Sequence, residues 1–92
     1  MREPTIEVTL LESPGCHLCA DARSALEELG PRYRLSIRSV DTHSPEGLGL
    51  VERHRPALLP LVLVDGRSFS TGRLPRRKLE RYLAGRTAGV AS

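Results

Sequence analysis

The sequence has few of the residue types on which several function classes depend. Its 92 residues include two cysteines, no tryptophan and three aromatic residues. Two cysteines are too few for a disulfide-rich scaffold, and three aromatic residues are too few for the stacking platforms that bind single-stranded nucleic acid. No apolar run approaches the roughly 18 residues of a membrane-spanning helix. The sequence therefore argues against a disulfide-rich secreted protein, a membrane protein and a protein that binds single-stranded nucleic acid.

The start of the sequence also lacks the apolar segment of a secretory signal peptide. We therefore expect a cytoplasmic protein with no membrane partner. The length is that of one domain, and the composition of 39% hydrophobic and 27% charged residues is that of an ordinary globular chain. We predict a single domain over residues 1–85, a flexible tail over residues 86–92, and a monomer.

Positive charge is concentrated in the last part of the chain. Residues 67–92 contain seven basic residues and one acidic residue, whereas residues 1–66 contain seven basic and ten acidic residues. A basic surface of this kind can bind carboxylates, phosphates or nucleic acid. It can equally be the solvated face of a helix, so the charge pattern leaves its role open.

The hydrophobic pattern of the first half predicts a βαβ unit. Apolar residues alternate with polar ones over residues 6–10 and predict a strand, and those of residues 18–29 share one helical face. We predict that Gly30 and Pro31 end this helix and that a second strand covers residues 33–40. Two such strands are expected to be parallel, with a right-handed crossover.

The second half predicts a weak helix, a hairpin and a last helix. Ser44 and Pro45 suit the N-cap and the first helical position, although glycines within this helix weaken it. An apolar strand over residues 61–64, the turn residues Asp65-Gly66 and a return strand form the hairpin. The last helix is expected from Pro75 to Ala84, with a stop at Gly85. The residues expected to face the core are Leu48 and Val51 in the weak helix and Leu79, Tyr82 and Leu83 in the last one.

The two cysteines, Cys16 and Cys19, lie where the first strand gives way to the first helix. The N–H groups and the positive dipole end of a helix start stabilise a thiolate, which is the reactive form of cysteine. A spacing of two residues brings the second thiol within reach of a mixed disulfide on the first. We predict that Cys16 is the exposed nucleophile and that Cys19 is the more buried resolving thiol. His17 can add positive charge when it is protonated.

Two other interpretations of the cysteines stay open. A CxxC pair is half of a zinc site, but the sequence has no second CxxC, and His43 and His54 are eleven residues apart. We therefore expect no metal site within one chain, whereas an iron–sulfur cluster shared between two protomers stays an alternative. The chain can also be a non-catalytic binding module that uses the cleft for a partner or for such a bridged metal, and the two cysteines can be unconnected core residues.

The order of these motifs carries a family resemblance. The segment Ser13-Pro14-Gly15-Cys16-His17-Leu18-Cys19 opens the first helix, Asp41 ends the second strand, and Leu59-Pro60 precedes Leu63-Val64-Asp65-Gly66. With these features the chain resembles the thioredoxin fold and, within it, the glutaredoxins. It looks most like the small bacterial glutaredoxin-like proteins over residues 5–84. The resemblance implies an α/β protein of the order β-α-β-α-β-β-α, with a four-stranded mixed sheet flanked by helices.

The resemblance also implies a function and a site. Cys16 and Cys19 would be the catalytic residues of a thiol–disulfide oxidoreductase that reduces protein disulfides or glutathione mixed disulfides, with a thiol reductant or a reductase as electron donor and no cofactor. Pro60 would be a cis-proline that faces the cysteines. The expected substrate-binding residues are Pro14, His17, Leu59, Pro60, Gly72 and Arg73.

Three segments depart from the usual glutaredoxin pattern. Leu58-Leu59-Pro60 replaces Thr-Val-Pro, and Thr71-Gly72-Arg73-Leu74 replaces the Gly-Gly-x-x-Asp turn, both of which contact glutathione in typical glutaredoxins. His17-Leu18 replaces the common Pro-Tyr pair between the cysteines. Glutathione therefore stays open as a co-substrate.

Overall fold

Over residues 5–91 the chain forms four strands and three helices. The computed structural model describes this range and gives side-chain surroundings for residues 5–86. The elements are β1 (Ile6–Glu12), α1 (His17–Tyr33), β2 (Leu35–Asp41), α2 (Pro45–His54), β3 (Leu61–Val64), β4 (Arg67–Thr71) and α3 (Arg76–Ala91). This is the predicted order of elements. Within the described range, no helix is long and apolar enough to cross a membrane.

The strands form one mixed sheet in the order β2-β1-β3-β4. β1 and β2 are parallel and are connected by α1. β1 and β3 are antiparallel, with Leu11 beside Leu61. β3 and β4 form an antiparallel hairpin, whose turn residues Asp65 and Gly66 both have positive φ. The predicted parallel first half and antiparallel hairpin are confirmed.

The sheet separates two apolar clusters. The larger one lies between the sheet and helices α1 and α3, and its buried members are Ile6, Val8, Leu10, Ala22, Ala25, Leu26, Leu29, Val62, Val64, Leu74, Leu79 and Leu83. The smaller one joins Leu11, Val40, Leu61 and Leu63 to the partly buried Leu50 and Val51 of α2. Because side chains alternate across a strand, β3 supplies both clusters, and all four of its residues are buried.

The first helix is longer than the sequence predicted. α1 continues through Gly30 and Pro31 to Tyr33, so the prediction that these two residues end the helix is wrong. Proline removes one backbone donor, but Gly30 is buried and lies against Ile37, whose Cδ1 would be 3.5 Å from a Cβ at that glycine. The helix ends at Arg34, which has a φ of 57° and donates its N–H to the Gly30 carbonyl. β2 consequently starts later than predicted.

The last helix is longer as well. α3 passes through Gly85, the predicted stop, and runs on to Ala91. A glycine inside a helix costs about 1 kcal/mol relative to alanine, a penalty that weakens a helix without ending it. Arg86 of the predicted tail donates to the Tyr82 hydroxyl at 3.1 Å and to the Asp65 carboxylate at 2.5 Å. The secondary structure is therefore continuous across residue 85, and the domain boundary there stays a prediction.

Two residues that were expected in the core are exposed. Leu48 is 59% exposed and Tyr82 is 41% exposed. In α2 Gly47 is buried, and Leu50 and Val51 pack against the smaller cluster. Leu48 is rotated by about 100° from Gly47 around the helix axis. Tyr82 packs its ring against Phe69, at a centroid distance of 5.8 Å.

Candidate active site

The loop between β1 and α1 brings the cysteines to the start of a helix. Pro14 and Gly15 are exposed, and Gly15 has a φ of +73°. Cys16 is the N-cap of α1, with extended backbone, and its Sγ accepts a hydrogen bond from the Cys19 N–H at 3.1 Å. The first N–H groups of a helix have no partner within the helix. The sulfur therefore lies where an N-cap oxygen normally lies, at the positive end of the helix dipole.

A disulfide joins Cys16 to Cys19, whose Cα atoms are 5.2 Å apart. The two residues differ in access, because Cys19 is 1% exposed whereas Cys16 is only partly buried. A reactant from solvent can therefore reach Cys16 more readily than Cys19. This difference in burial is the one that an attacking thiol and a resolving thiol require.

His17 is the first residue of α1 and its side chain is exposed. Among the side chains of residues 5–86, none forms a hydrogen bond or an ion pair with the His17 imidazole. The ring is free to meet a bound substrate, and its predicted role in binding stays a prediction.

The Leu59-Pro60 junction lies at the same end of the sheet as the loop that carries Cys16. Pro60 directly precedes β3, whose first residue, Leu61, is paired with Leu11 near the end of β1. The Leu59–Pro60 peptide bond is cis. Pro60 is almost fully buried, whereas Leu59 is partly exposed.

Gly72 and Arg73 follow β4 and lie next to this junction. The Gly72 N–H donates to the Pro60 carbonyl at 3.0 Å. Gly72 is buried, has a φ of +76°, and leaves room for Leu58, whose Cδ1 would be 3.3 Å from a Cβ there. Leu58 itself is 62% exposed. The segment therefore presents an exposed leucine and the exposed guanidinium of Arg73 beside the proline junction.

An ion pair ties the start of α3 to the start of α1. The Arg76 guanidinium donates to the Asp21 carboxylate at 3.1 Å, and Asp21 lies one helical turn after His17. A cleft of about 470 Å³ opens at this contact. The residues that line it are Asp21, Arg73, Leu74, Pro75, Arg76, Arg77 and Lys78. The structure thus connects the helix that carries the cysteines to a basic surface.

One ionic contact near the site was missed by the sequence analysis. Glu12, the last residue of β1, is 9% exposed and forms an ion pair with Arg23 of α1. The Glu12 carbonyl also accepts the Thr42 N–H at 3.0 Å. No spacing rule connects a strand end to a residue in the second turn of the next helix. Glu12 directly follows the apolar pair Leu10-Leu11, and a glutamate beside such a buried pair is the signal that could have suggested a nearby arginine.

Asp41, one of the residues that carry the resemblance, stabilises the connection between β2 and α2. Its carboxylate accepts the His43 N–H at 2.7 Å, and this bond holds the pKa of Asp41 below its ordinary value.

Across the described side chains, no three His, Cys, Asp or Glu residues converge in a group that could hold a metal ion.

Comparison with protein families gives one match that covers most of the chain. The family model of the Glutaredoxin-like domain (DUF836) matches residues 7–84. Among curated proteins, none matches the sequence significantly.

Solved structures resemble the chain in fold. An uncharacterised thioredoxin-like protein from Clostridium perfringens has a TM-score of 0.69 at 13% identity, covering 91% of this chain and 72% of that one. Mitochondrial thioredoxin 3 from Saccharomyces cerevisiae, in its oxidised form, has a TM-score of 0.65 at 18% identity, covering 87% and 77%. Thioredoxin-2 of a malaria parasite has a TM-score of 0.65 at 17% identity, covering 88% and 82%. The chain has a thioredoxin-like fold.

Proposed function

Because this chain belongs to the family of glutaredoxin-like domains (DUF836), we propose that it is a thiol–disulfide oxidoreductase that uses Cys16 and Cys19 as a dithiol. The observation that carries the proposal is the arrangement of the two cysteines. They are joined at a helix start, Cys16 is accessible, and Cys19 is buried behind it. The proposed substrates are protein disulfides or glutathione mixed disulfides.

The proposed reaction has two steps. The Cys16 thiolate attacks one sulfur of the substrate disulfide, which forms a mixed disulfide and releases the other sulfur as a thiolate. The Cys19 thiolate then attacks the Cys16 sulfur and releases the second substrate sulfur. Two electrons pass from the dithiol to the substrate, and the protons of the two cysteines end on the substrate thiols. The protein is left with the Cys16–Cys19 disulfide that is present in the structure.

The start of α1 supports the first step. The Cys19 N–H donates to the Cys16 sulfur, and the aligned peptide dipoles of the helix place partial positive charge at the same point. Both interactions stabilise negative charge on the Cys16 sulfur. They therefore favour the thiolate, which is the attacking species of the first step.

The substrate is proposed to bind across the residues that surround the accessible sulfur. In this proposal Pro14 and His17 contact one side of the substrate, and Leu59, Pro60, Gly72 and Arg73 contact the other. A low-molecular-weight thiol, glutathione among them, or a reductase would return two electrons to the disulfide. Such a reductant is kept available in the cytoplasm, which is the compartment we propose for this protein.

The proposal is tested by redox titration of the protein in graded glutathione buffers. Samples are quenched in acid, alkylated and weighed by intact mass. We expect one reversible two-electron couple between Cys16 and Cys19, with a midpoint within the range of about −270 to −120 mV that CxxC proteins cover. Cysteines that stay reduced, or that react independently at ordinary thiol rates, would contradict the proposal and favour a binding module.

Two variants separate the roles of the cysteines. Cys19→Ser should accumulate a mixed disulfide on Cys16, because the resolving thiol is missing. Cys16→Ser should form none, because the remaining thiol is buried. If Cys19→Ser keeps full multi-turnover activity on a protein disulfide, the dithiol scheme is wrong.

A further inference from the structure

The cleft beside the start of α3 is strongly basic. Four of the seven residues that line it are Arg73, Arg76, Arg77 and Lys78, and Asp21 is the single acidic one. We call the surface formed by these five residues the basic cleft. It is open to solvent at all four of its cationic side chains.

Part of this positive charge has no partner among the side chains that the structure describes. Arg76 is paired with Asp21, and the Lys78 ammonium lies 5.5 Å from the centre of the Phe69 ring. Arg73 and Arg77 are exposed and form no ion pair or hydrogen bond with any side chain of residues 5–86. Two guanidinium groups are thus available to an external anion.

The basic cleft is continuous with the candidate active site. Asp21 belongs to the first turns of the helix that starts at the cysteines. On the other side, Gly72 is the neighbour of Arg73 in the chain. Its N–H donates to the Pro60 carbonyl, and the Leu58 side chain packs against it. Leu58 is an exposed apolar side chain at this point. The surface therefore offers an apolar contact at the Leu59-Pro60 junction and exposed positive charge beside it.

We propose that the basic cleft and Leu58 select protein substrates whose disulfide is flanked by an apolar residue and an acidic segment. The proposal rests on the oxidoreductase function proposed above and names the substrate class of the same site. Charge complementarity of this kind raises the rate of encounter and fixes the orientation of the partner. An exposed leucine adds apolar contact, which an extended protein segment provides and which a small polar thiol lacks.

The test is a single-turnover reaction between the reduced protein and peptide disulfides. Two symmetric peptide disulfides are compared, with the cysteine flanked by leucine and glutamates in one and by leucine and glutamines in the other. Rates are measured by acid quenching, alkylation and intact mass, at low and at high ionic strength. Glutathione disulfide is the low-molecular-weight substrate in the comparison. No added reductant enters the reaction, because each protein molecule turns over once.

The quantity of interest is the preference, which is the ratio of the rate constants for the acidic and the neutral peptide. We expect a preference of about tenfold or more at low ionic strength, shrinking at high ionic strength. The variant Arg73→Glu/Arg77→Glu should lose or invert the preference. The control variant Arg53→Glu/Arg67→Glu makes the same change of net charge at two exposed arginines outside the cleft, and it should keep most of the preference.

Three outcomes would overturn the proposal. Equal rates for the two peptides in the unaltered protein would show no selection. An equal loss of preference in the control variant would assign the effect to net charge instead of the cleft. If Arg73→Glu/Arg77→Glu loses rate on glutathione disulfide by the same factor as on the acidic peptide, the cleft would serve small thiols instead of protein substrates. If the unaltered protein reacts with none of these disulfides, the oxidoreductase function itself fails, a result distinct from reaction without preference.

Discussion

The Cys16 sulfur accepts a hydrogen bond from the backbone N–H of Cys19 at 3.1 Å. One side chain thus has two functions, because the atom proposed as the nucleophile is also the N-cap of α1. An oxygen acceptor at an N-cap contributes about 1 kcal/mol to the stability of a helix. The chemistry and the local fold therefore share the same contact.

This double function predicts a difference between two variants that both lack the disulfide. Cys16→Ser keeps an acceptor at the N-cap and Cys16→Ala removes it. The free energy of unfolding of the alanine variant should therefore be about 1 kcal/mol lower than that of the serine variant. The measurement is urea denaturation of both proteins under reducing conditions. Ser44→Ala calibrates it, since Ser44 caps α2 by accepting the Gly47 N–H at 3.0 Å. Equal stability of the two Cys16 variants would show that a hydrogen-bond acceptor at this N-cap does not stabilise α1.

The turn between β3 and β4 predicts a pH dependence. The Asp65 carboxylate accepts a hydrogen bond from Arg86, and this contact holds the pKa of Asp65 below its ordinary value of 3.8. An acid whose pKa is lowered by folding stabilises the protein above its unfolded pKa, and this contribution is lost as the pH falls through the folded pKa. The stability difference between the unaltered protein and Asp65→Asn should therefore be full at neutral pH and shrink below about pH 4.

The control for this prediction removes the other partner. Arg86→Met deletes the guanidinium and leaves the carboxylate, so its stability difference from the unaltered protein should shrink over the same pH range. Asparagine tolerates the left-handed conformation of Asp65, which has a φ of 50°, and its side-chain oxygen can still accept the Glu7 N–H as Asp65 does. A difference between the unaltered protein and Asp65→Asn that stays constant down to pH 2 would contradict the assignment.

The features predicted correctly depend on a few consecutive residues. Ser44 and Pro45 predicted the start of α2, the Asp65-Gly66 pair predicted the hairpin, and the position of Cys16 predicted a sulfur at a helix start. Each of these relies on backbone groups within one turn of the chain. Local chemistry therefore determines them whatever the rest of the chain does.

The features that the sequence did not predict depend on contacts between distant elements. The sequence predicts helix ends at Gly30 and Gly85, yet both helices continue. Gly30 fits against Ile37 of β2, and such a contact is invisible in a helical pattern. The exposure of Leu48 has the same origin, because packing against the sheet fixes the rotation of α2.

Two glycines in α2 give a matched test of such a contact. A Cβ at Gly47 would lie 1.9 Å from the Asp41 carbonyl oxygen, whereas a Cβ at Gly49 would meet nothing within 4 Å. Gly49→Ala should therefore stabilise the protein by up to about 1 kcal/mol through helix propensity. Gly47→Ala should destabilise it instead, because the backbone of the β2–α2 connection must move. Urea denaturation of both variants decides the signs, and a stabilising Gly47→Ala would contradict the close approach.

The ion pair between Glu12 and Arg23 predicts an asymmetric effect of charge removal. Glu12 is 9% exposed, so Arg23→Met leaves a nearly buried carboxylate without its partner and should lower the free energy of unfolding by about 1–3 kcal/mol. Glu12→Gln in the same chain removes the unpaired charge and should recover at least half of that loss. The control is Arg38→Met, whose partner Glu46 is 49% exposed, and it should change stability by less than about 0.5 kcal/mol. Equal effects of Arg23→Met and Arg38→Met in urea denaturation would show that the burial of Glu12 does not increase the contribution of its ion pair to the free energy of unfolding.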